Sequence, residues 1–437
     1  MVACPCCRIR RLGGTRAREM QFRRFLHNEA VSVEEMAGHA LSATAGRVGG
    51  LDIAVVQDTT EVVLGGGELR GSYGPVGRGG ATRGYLLHAA LAVEVGSGAL
   101  LGLSDLSVWT RSGGKVGARR SRATASKESQ RWIEAMERQT ALRQSAARVT
   151  LVADAESDIY ELFARRPAGI DVLVRAAQNR KVRPPSKASG EAPEPAPDRL
   201  FALADNWPEL GRTTVQLQAI PGRRARPATL AMRASRVELC RPRNGADPAL
   251  PETLWLSLVE LREIDAPAGQ KPLHWRLLTS HQVTTAEEAE RTANLYRQRW
   301  VIEEFFRTLK SAGFQIDHAE IGEPRAMLNF AAACSLAAVT IMQLVQARDG
   351  NTAQPLDHAF DADDRPLIEA LSTKLEGKTQ RQKNPHPKGS LAFAAWVVAR
   401  LGGWTAYYGK PGPFVMSIGL DKLAAAKQGW LLASGNL

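Results

Sequence analysis

Residues 296–310, YRQRWVIEEFFRTLK, decide how this chain is read. The stretch is helical in pattern, yet it mixes aromatics with three arginines, two adjacent glutamates and a lysine. An amphipathic helix needs only an apolar stripe. At about 100° per residue, Arg299, Glu303 and Lys310 fall near 300°, 340° and 320° from Tyr296, a sector of roughly 60°. Leu295, Ile302, Phe305 and Leu309 fall on the opposite side, at about 180–260°. One face is therefore expected to pack and the other to carry a polar strip. Taken alone, that strip is equally a solvated face held by i,i+4 ion pairs such as Arg299–Glu303.

Outward from the helix, two aspartates change the balance. Residues 51–60, LDIAVVQDTT, read as a buried strand with Asp58 at its carboxyl end. GYLLHAALAVEV and ALLGLSDLSVWT follow, joined by Gly96-Ser97-Gly98, the pattern of a β-hairpin. Residues 127–147, KESQRWIEAMERQTALRQSAA, are helical in pattern. RVTLVADAESDIYELFA then reads as strand, turn and helix, with Asp154 where the strand stops and Asp158 and Glu161 in the helix. IDVLVRAA is a further strand. Three meandering strands followed by βαβ units form a ribonuclease-H-like arrangement, in which the strands carrying Asp58 and Asp154 are neighbours. The glycine-rich connection between residues 64 and 80 has no GK[ST] signature, so turn chemistry accounts for it.

Composition sets the outer limits. With 437 residues the chain is expected to form two or three units, and 44% hydrophobic with 23% charged residues is that of a globular protein. The formal charge of +12 favours a polyanionic partner, nucleic acid first and an anionic membrane surface second. Five cysteines argue against a disulfide framework, and Cys4, Cys6 and Cys7 lack the further ligands of a zinc site. The start has no apolar core of a signal peptide, and the apolar run 330–345 reads as a buried helix rather than a membrane span. A cytoplasmic, nucleoid-associated protein is expected.

Asp58, Asp154 and Glu303 together offer hard oxygen ligands for one or two Mg²⁺ ions, with Mn²⁺ as a substitute. Two such ions, about 4 Å apart, suit in-line displacement at phosphorus. Tyr296, Arg299 and Lys310 beside Glu303 would hold the flanking phosphates of a nucleic-acid backbone. A glycoside hydrolase with paired carboxylates is the rival chemistry, and the basic excess weighs against it.

QDTT at Asp58, ADAESDIYEL at Asp154 and YRQRWVIEEFFRTLK resemble the DDE transposases of bacterial cut-and-paste insertion sequences. The group is the insertion-sequence-four family, marked by Tyr-x2-Arg-x3-Glu-x6-Lys, here Tyr296, Arg299, Glu303 and Lys310. KESQRW, HWRLLTS and NPHPKGSLAFAAWVVARLGGW also look like family segments. The resemblance implies an α/β fold: a ribonuclease-H-like mixed-sheet core (46–177 and 280–347), an all-β insertion (178–279) and a helical C-terminal dimerisation region (348–437). It implies cleavage of transposon ends through a hairpin intermediate and joining to target DNA, by a homodimer on paired terminal inverted repeats. It also implies that Trp275 stacks on a flipped base, that Trp300 lines the same pocket, and that Arg175 contacts DNA; Arg307 joins these DNA-binding candidates. Residues 1–45 are expected to form a shorter N-terminal DNA-binding region than the family carries, with Arg10, Arg11, Arg16, Arg18, Arg23 and Arg24 left to touch backbone. The alternative expectation is a truncated, inactive chain that dimerises with full-length transposase and inhibits it.

Overall fold

The computed structural model describes residues 7–65, 72–77, 80–111, 128–183, 198–205, 207–217, 219, 224–243, 246–311 and 313–433. Three helices open the chain, α1 (Ile9–Gly13), α2 (Arg16–His27) and α3 (Val33–Ala45). Strands β1 (Asp52–Val63), β2 (Gly74–Val76), β3 (Thr82–Glu94) and β4 (Leu100–Trp109) follow. Next come α4 (Gln130–Arg138), α5 (Thr140–Arg143), β5 (Arg148–Ala153), α6 (Tyr160–Ala164) and β6 (Ile170–Arg175). Then β7 (Val182–Arg183), α7 (Leu200–Ala204), β8 (Gly211–Leu217), β9 (Arg226–Cys240), β10 (Thr253–Glu263) and β11 (His274–Thr279). The remainder is helical: α8 (Ala286–Arg297), α9 (Trp300–Leu309), α10 (Pro324–Ala347), α11 (Arg365–Leu375), α12 (Leu391–Leu401) and α13 (Pro413–Ala433).

The central strands lie in the order β4–β3–β1–β5–β6, with β3 antiparallel to both β4 and β1, and β5 and β6 parallel to β1. This mixed α/β order is consistent with a ribonuclease-H-like transposase fold. The strands after residue 178 do not form a separate sheet. β11 pairs antiparallel with β6, and β10 and β9 continue outward. Nor is that stretch all-β as expected, because the short α7 lies in it, with Leu200 and Ala204 buried in the core.

Strand alternation sends Ala54 and Val56 to one face and Ile53 and Val55 to the other, and both faces are buried. The first face packs against α8, α9 and α10 through Leu295, Phe305 and Phe330. The second packs against α4 and α6 through Ile133 and Phe163. Helix α10 is long and apolar enough to cross a membrane by length and composition. Met327, Phe330, Cys334, Ile341 and Leu344 of this helix are buried inside the protein, as a core helix requires. The N-terminal helices dock on it: the Asn329 amide donates to the carbonyls of Leu26 at 3.0 Å and Val31 at 2.9 Å.

Two further expectations change. The helix expected over 127–147 is two helices, α4 and α5, divided at Gln139; Lys127 lies outside the described residues. Asp158 is not helical but ends a 3-10 turn before α6. Cys4 and Cys6 also lie outside the described residues, and burial pushes the Cys7 thiol above its ordinary pKa.

Candidate active site

Strand β1 continues through Asp58 to Val63, so Asp58 sits within the strand and not at its carboxyl end. What ends there is the parallel pairing with β5, whose last pair is Val56 with Val152. Two residues further along each chain stand Asp58 and Asp154. Asp154 keeps an extended backbone, with φ −83° and ψ −166°. Parallel strands lie roughly 4.8 Å apart and side chains repeat every second residue, so both carboxylates emerge side by side on the face covered by α9. Asp58 Oδ1 accepts from its neighbour's amide, Thr59 N, at 2.7 Å, and Asp154 Oδ1 accepts from Glu156 N at 2.8 Å. Burial, and then the negative charge of Asp154, push the Asp58 carboxyl up to about 7; Glu303 adds to the effect and Arg299 opposes it.

The third carboxylate comes from the opening stretch, which is not one helix. α8 starts with a capping box, in which Thr285 Oγ1 accepts from Glu288 N, and it ends at Arg297. At Gln298 and Arg299 the hydrogen bonds tighten to i→i−3, Gln298 N to Leu295 O and Arg299 N to Tyr296 O, both 3.1 Å. α9 then begins at Trp300. The uniform helical wheel therefore fails at this joint. Tyr296 is buried, Glu303 is half-buried and Lys310 has left helical geometry, with ψ −85°.

Arg299 lies at the joint, and its Nη1 is 3.0 Å from Glu303 Oε1 and 3.5 Å from Asp58 Oδ2. The i,i+4 ion pair is real, but it also reaches across to the sheet. Burial disfavours the guanidinium charge, yet Tyr296, Glu303 and Asp58 raise its pKa overall. The Lys310 ammonium is turned to β1, where it donates to Thr60 Oγ1 at 2.6 Å and the Glu61 carbonyl at 2.8 Å. Its half-buried setting lowers its pKa. Here Lys310 fastens α9 to the strand that carries Asp58.

Trp275 and Tyr296 meet edge to face, with ring centroids 5.5 Å apart. Burial raises the Tyr296 phenol pKa, while the Arg299 and Arg175 charges pull the other way. The structure thus gathers Trp275, Tyr296 and Arg175 beside the carboxylates. Trp300 projects outward and is 59% exposed, and Arg307 forms a surface pair with Glu304 at 2.6 Å. Among the described residues, neither shows a hydrogen bond, ion pair or ring contact to the cluster.

The donor set suits a hard divalent cation. Asp58 Oδ2 has only the long ion pair to Arg299, and Asp154 Oδ2 and Glu303 Oε2 have no protein hydrogen bond among the described residues. The mutual repulsion registered at Asp58 is what a cation would relieve. Among the described residues no three His, Cys, Asp or Glu side chains converge closely enough to hold an ion as they stand. Arg299 occupies the space between two of the three. The residues fit the metal chemically, provided that the guanidinium moves.

Sequence reading missed the roles of Thr60 and Asp158. Thr60 was within reach, because strand alternation puts it on the same face as Asp58. Asp158 carried no such signal. Its buried carboxylate accepts from Ala177 N and Gln178 N through Oδ2 and from Arg180 through Oδ1, pinning the chain just after Arg175. Residues 130–340 match the family model of the transposase DDE domain, just under half of the chain. Asp154 and Glu303 lie inside the matched residues and Asp58 before them, and the match supports a DDE transposase acting on DNA.

Proposed function

We propose that this chain is a divalent-metal-dependent DNA transposase of the insertion-sequence-four type, with Asp58, Asp154 and Glu303 as its catalytic acids. The observation that carries the reading is Asp58 and Asp154 side by side on the sheet face that α9 covers, with Arg299 linking Asp58 to Glu303. When bound there, Mg²⁺ or Mn²⁺ supplies Lewis acidity toward phosphoryl oxygens. The protein's own groups position DNA. Arg175 and Arg299 grip phosphates flanking the reacting one, and Lys310 holds α9 against β1. Trp275, backed edge-on by Tyr296, offers a ring face to a base turned out of the duplex, which offsets part of the unstacking cost in a hairpin intermediate. Phe414, Trp430 and Leu432, exposed on α13, support pairing of two copies on paired DNA ends.

The test is incubation of the purified chain with duplex DNA carrying the element's terminal inverted repeat, in Mg²⁺, resolved on a denaturing gel. Nicked ends followed by hairpins are expected. Binding without any strand cleavage would instead favour the inhibitor reading.

A further inference from the structure

Arg299 stands where the proposed chemistry needs room. Its guanidinium lies between Asp58 Oδ2 and Glu303 Oε1, at 3.5 and 3.0 Å, and so offsets part of the charge of the two carboxylates it separates. A divalent cation would seek the same oxygens and carries charge of the same sign, so the two repel at close range. They compete for the pair.

The position of Arg299 in the chain lets it leave. It belongs to neither helix body but to the tightened joint between α8 and α9, as the N-cap of α9. Moving its side chain breaks no backbone hydrogen bond of either helix. The ligand suited to draw a guanidinium away from a carboxylate is a phosphate, which accepts its fork through two oxygens. Arg175, exposed and close enough to Tyr296 to influence its phenol, places a second guanidinium near Arg299. A DNA phosphate held by Arg175 would offer Arg299 a competing anion.

We infer that Arg299 is the resident counter-cation of Asp58 and Glu303, and that DNA must draw it onto a phosphate before a divalent metal binds. Metal and DNA would then load together, each raising the affinity for the other by the same factor. The inference rests on the active-site reading above and adds an order of events to it. Without DNA, the carboxylates stay paired with Arg299 and bind metal poorly. With DNA, they are released at the place and moment where phosphate is present.

The measurement is Mn²⁺ binding, followed by the electron paramagnetic resonance signal of free Mn²⁺, with no turnover required. Without DNA, Arg299→Gln is expected to bind Mn²⁺ about tenfold more tightly than the unaltered chain. Arg299→Lys, too short to span both carboxylates, should fall between them and serves if the glutamine variant misfolds. Adding a mixed-sequence duplex should tighten Mn²⁺ binding by the unaltered chain and leave Arg299→Gln nearly unchanged. Equal or weaker Mn²⁺ binding by both Arg299 variants overturns the inference. Asp58→Asn and Glu303→Gln separate it from the underlying reading: if both keep full Mn²⁺ affinity, the site assignment itself is wrong.

Discussion

Asp154 and Asp158 lie four residues apart on one turn after β5, and the protein treats them in opposite ways. Asp158 is 1% exposed, and both of its oxygens are taken by the Ala177 and Gln178 amides and by the equally buried Arg180. Asp154 is half-open, accepts one backbone bond and stands beside a like charge at Asp58. A carboxylate that holds a fold together is fully satisfied, whereas one held ready for a ligand keeps an oxygen free and tolerates repulsion. The contrast separates the acid that holds the fold from the one proposed to be catalytic, where their sequence context alone does not.

The largest expected effect breaks the structural member. Asp158→Ala leaves Arg180 buried and unpaired, and should cost about 3–5 kcal/mol in denaturant unfolding. Asp154→Ala should cost less than about 1 kcal/mol, because it removes one surface turn bond and relieves repulsion. Similar losses for the two would dissolve the distinction.

Asp58 sharpens the comparison through pH. Its folded-state pKa of about 7 lies above the ordinary 3.8, so the protonated form favours the folded protein. The stability it contributes is complete below the unfolded value and is lost as pH rises through about 7. With chelator present, Asp58→Asn should therefore gain roughly 2–4 kcal/mol relative to the unaltered chain between pH 4 and pH 8. A flat difference across that range would contradict the burial and repulsion described at Asp58.

A smaller effect concerns Lys310, which the sequence pattern placed on the DNA-facing strip and the structure ties to β1. Lys310→Met should cost about 1–2 kcal/mol in thermal or denaturant unfolding, through two lost charge-assisted hydrogen bonds. No change in stability would return Lys310 to a purely DNA-facing role.

Much of this site was legible in the sequence because periodicity carries it. The β-rich run 51–60 and the strand-turn pattern around Asp154 put the two aspartates on neighbouring strands, and the polar strip of residues 296–310 singled out Glu303. The joint at Gln298 and Arg299 was not legible, since both residues keep right-handed helical dihedrals, and nothing local forbids an unbroken helix. The choice is tertiary: the Gln298 amide donates to the Val95 carbonyl, and Lys310 anchors the far end of α9 on β1. The continuation of the sheet from β6 into β11 was equally hidden, because strand pairing across about 100 residues leaves no periodic trace.

The central claim is that Glu303 completes a catalytic set with Asp58 and Asp154. Its most direct test compares Glu303→Ala with the unaltered chain, measuring strand cleavage of terminal-repeat DNA in Mg²⁺ alongside binding of non-specific duplex. Cleavage should fall to background while non-specific binding stays nearly intact. Full cleavage by Glu303→Ala would contradict the account.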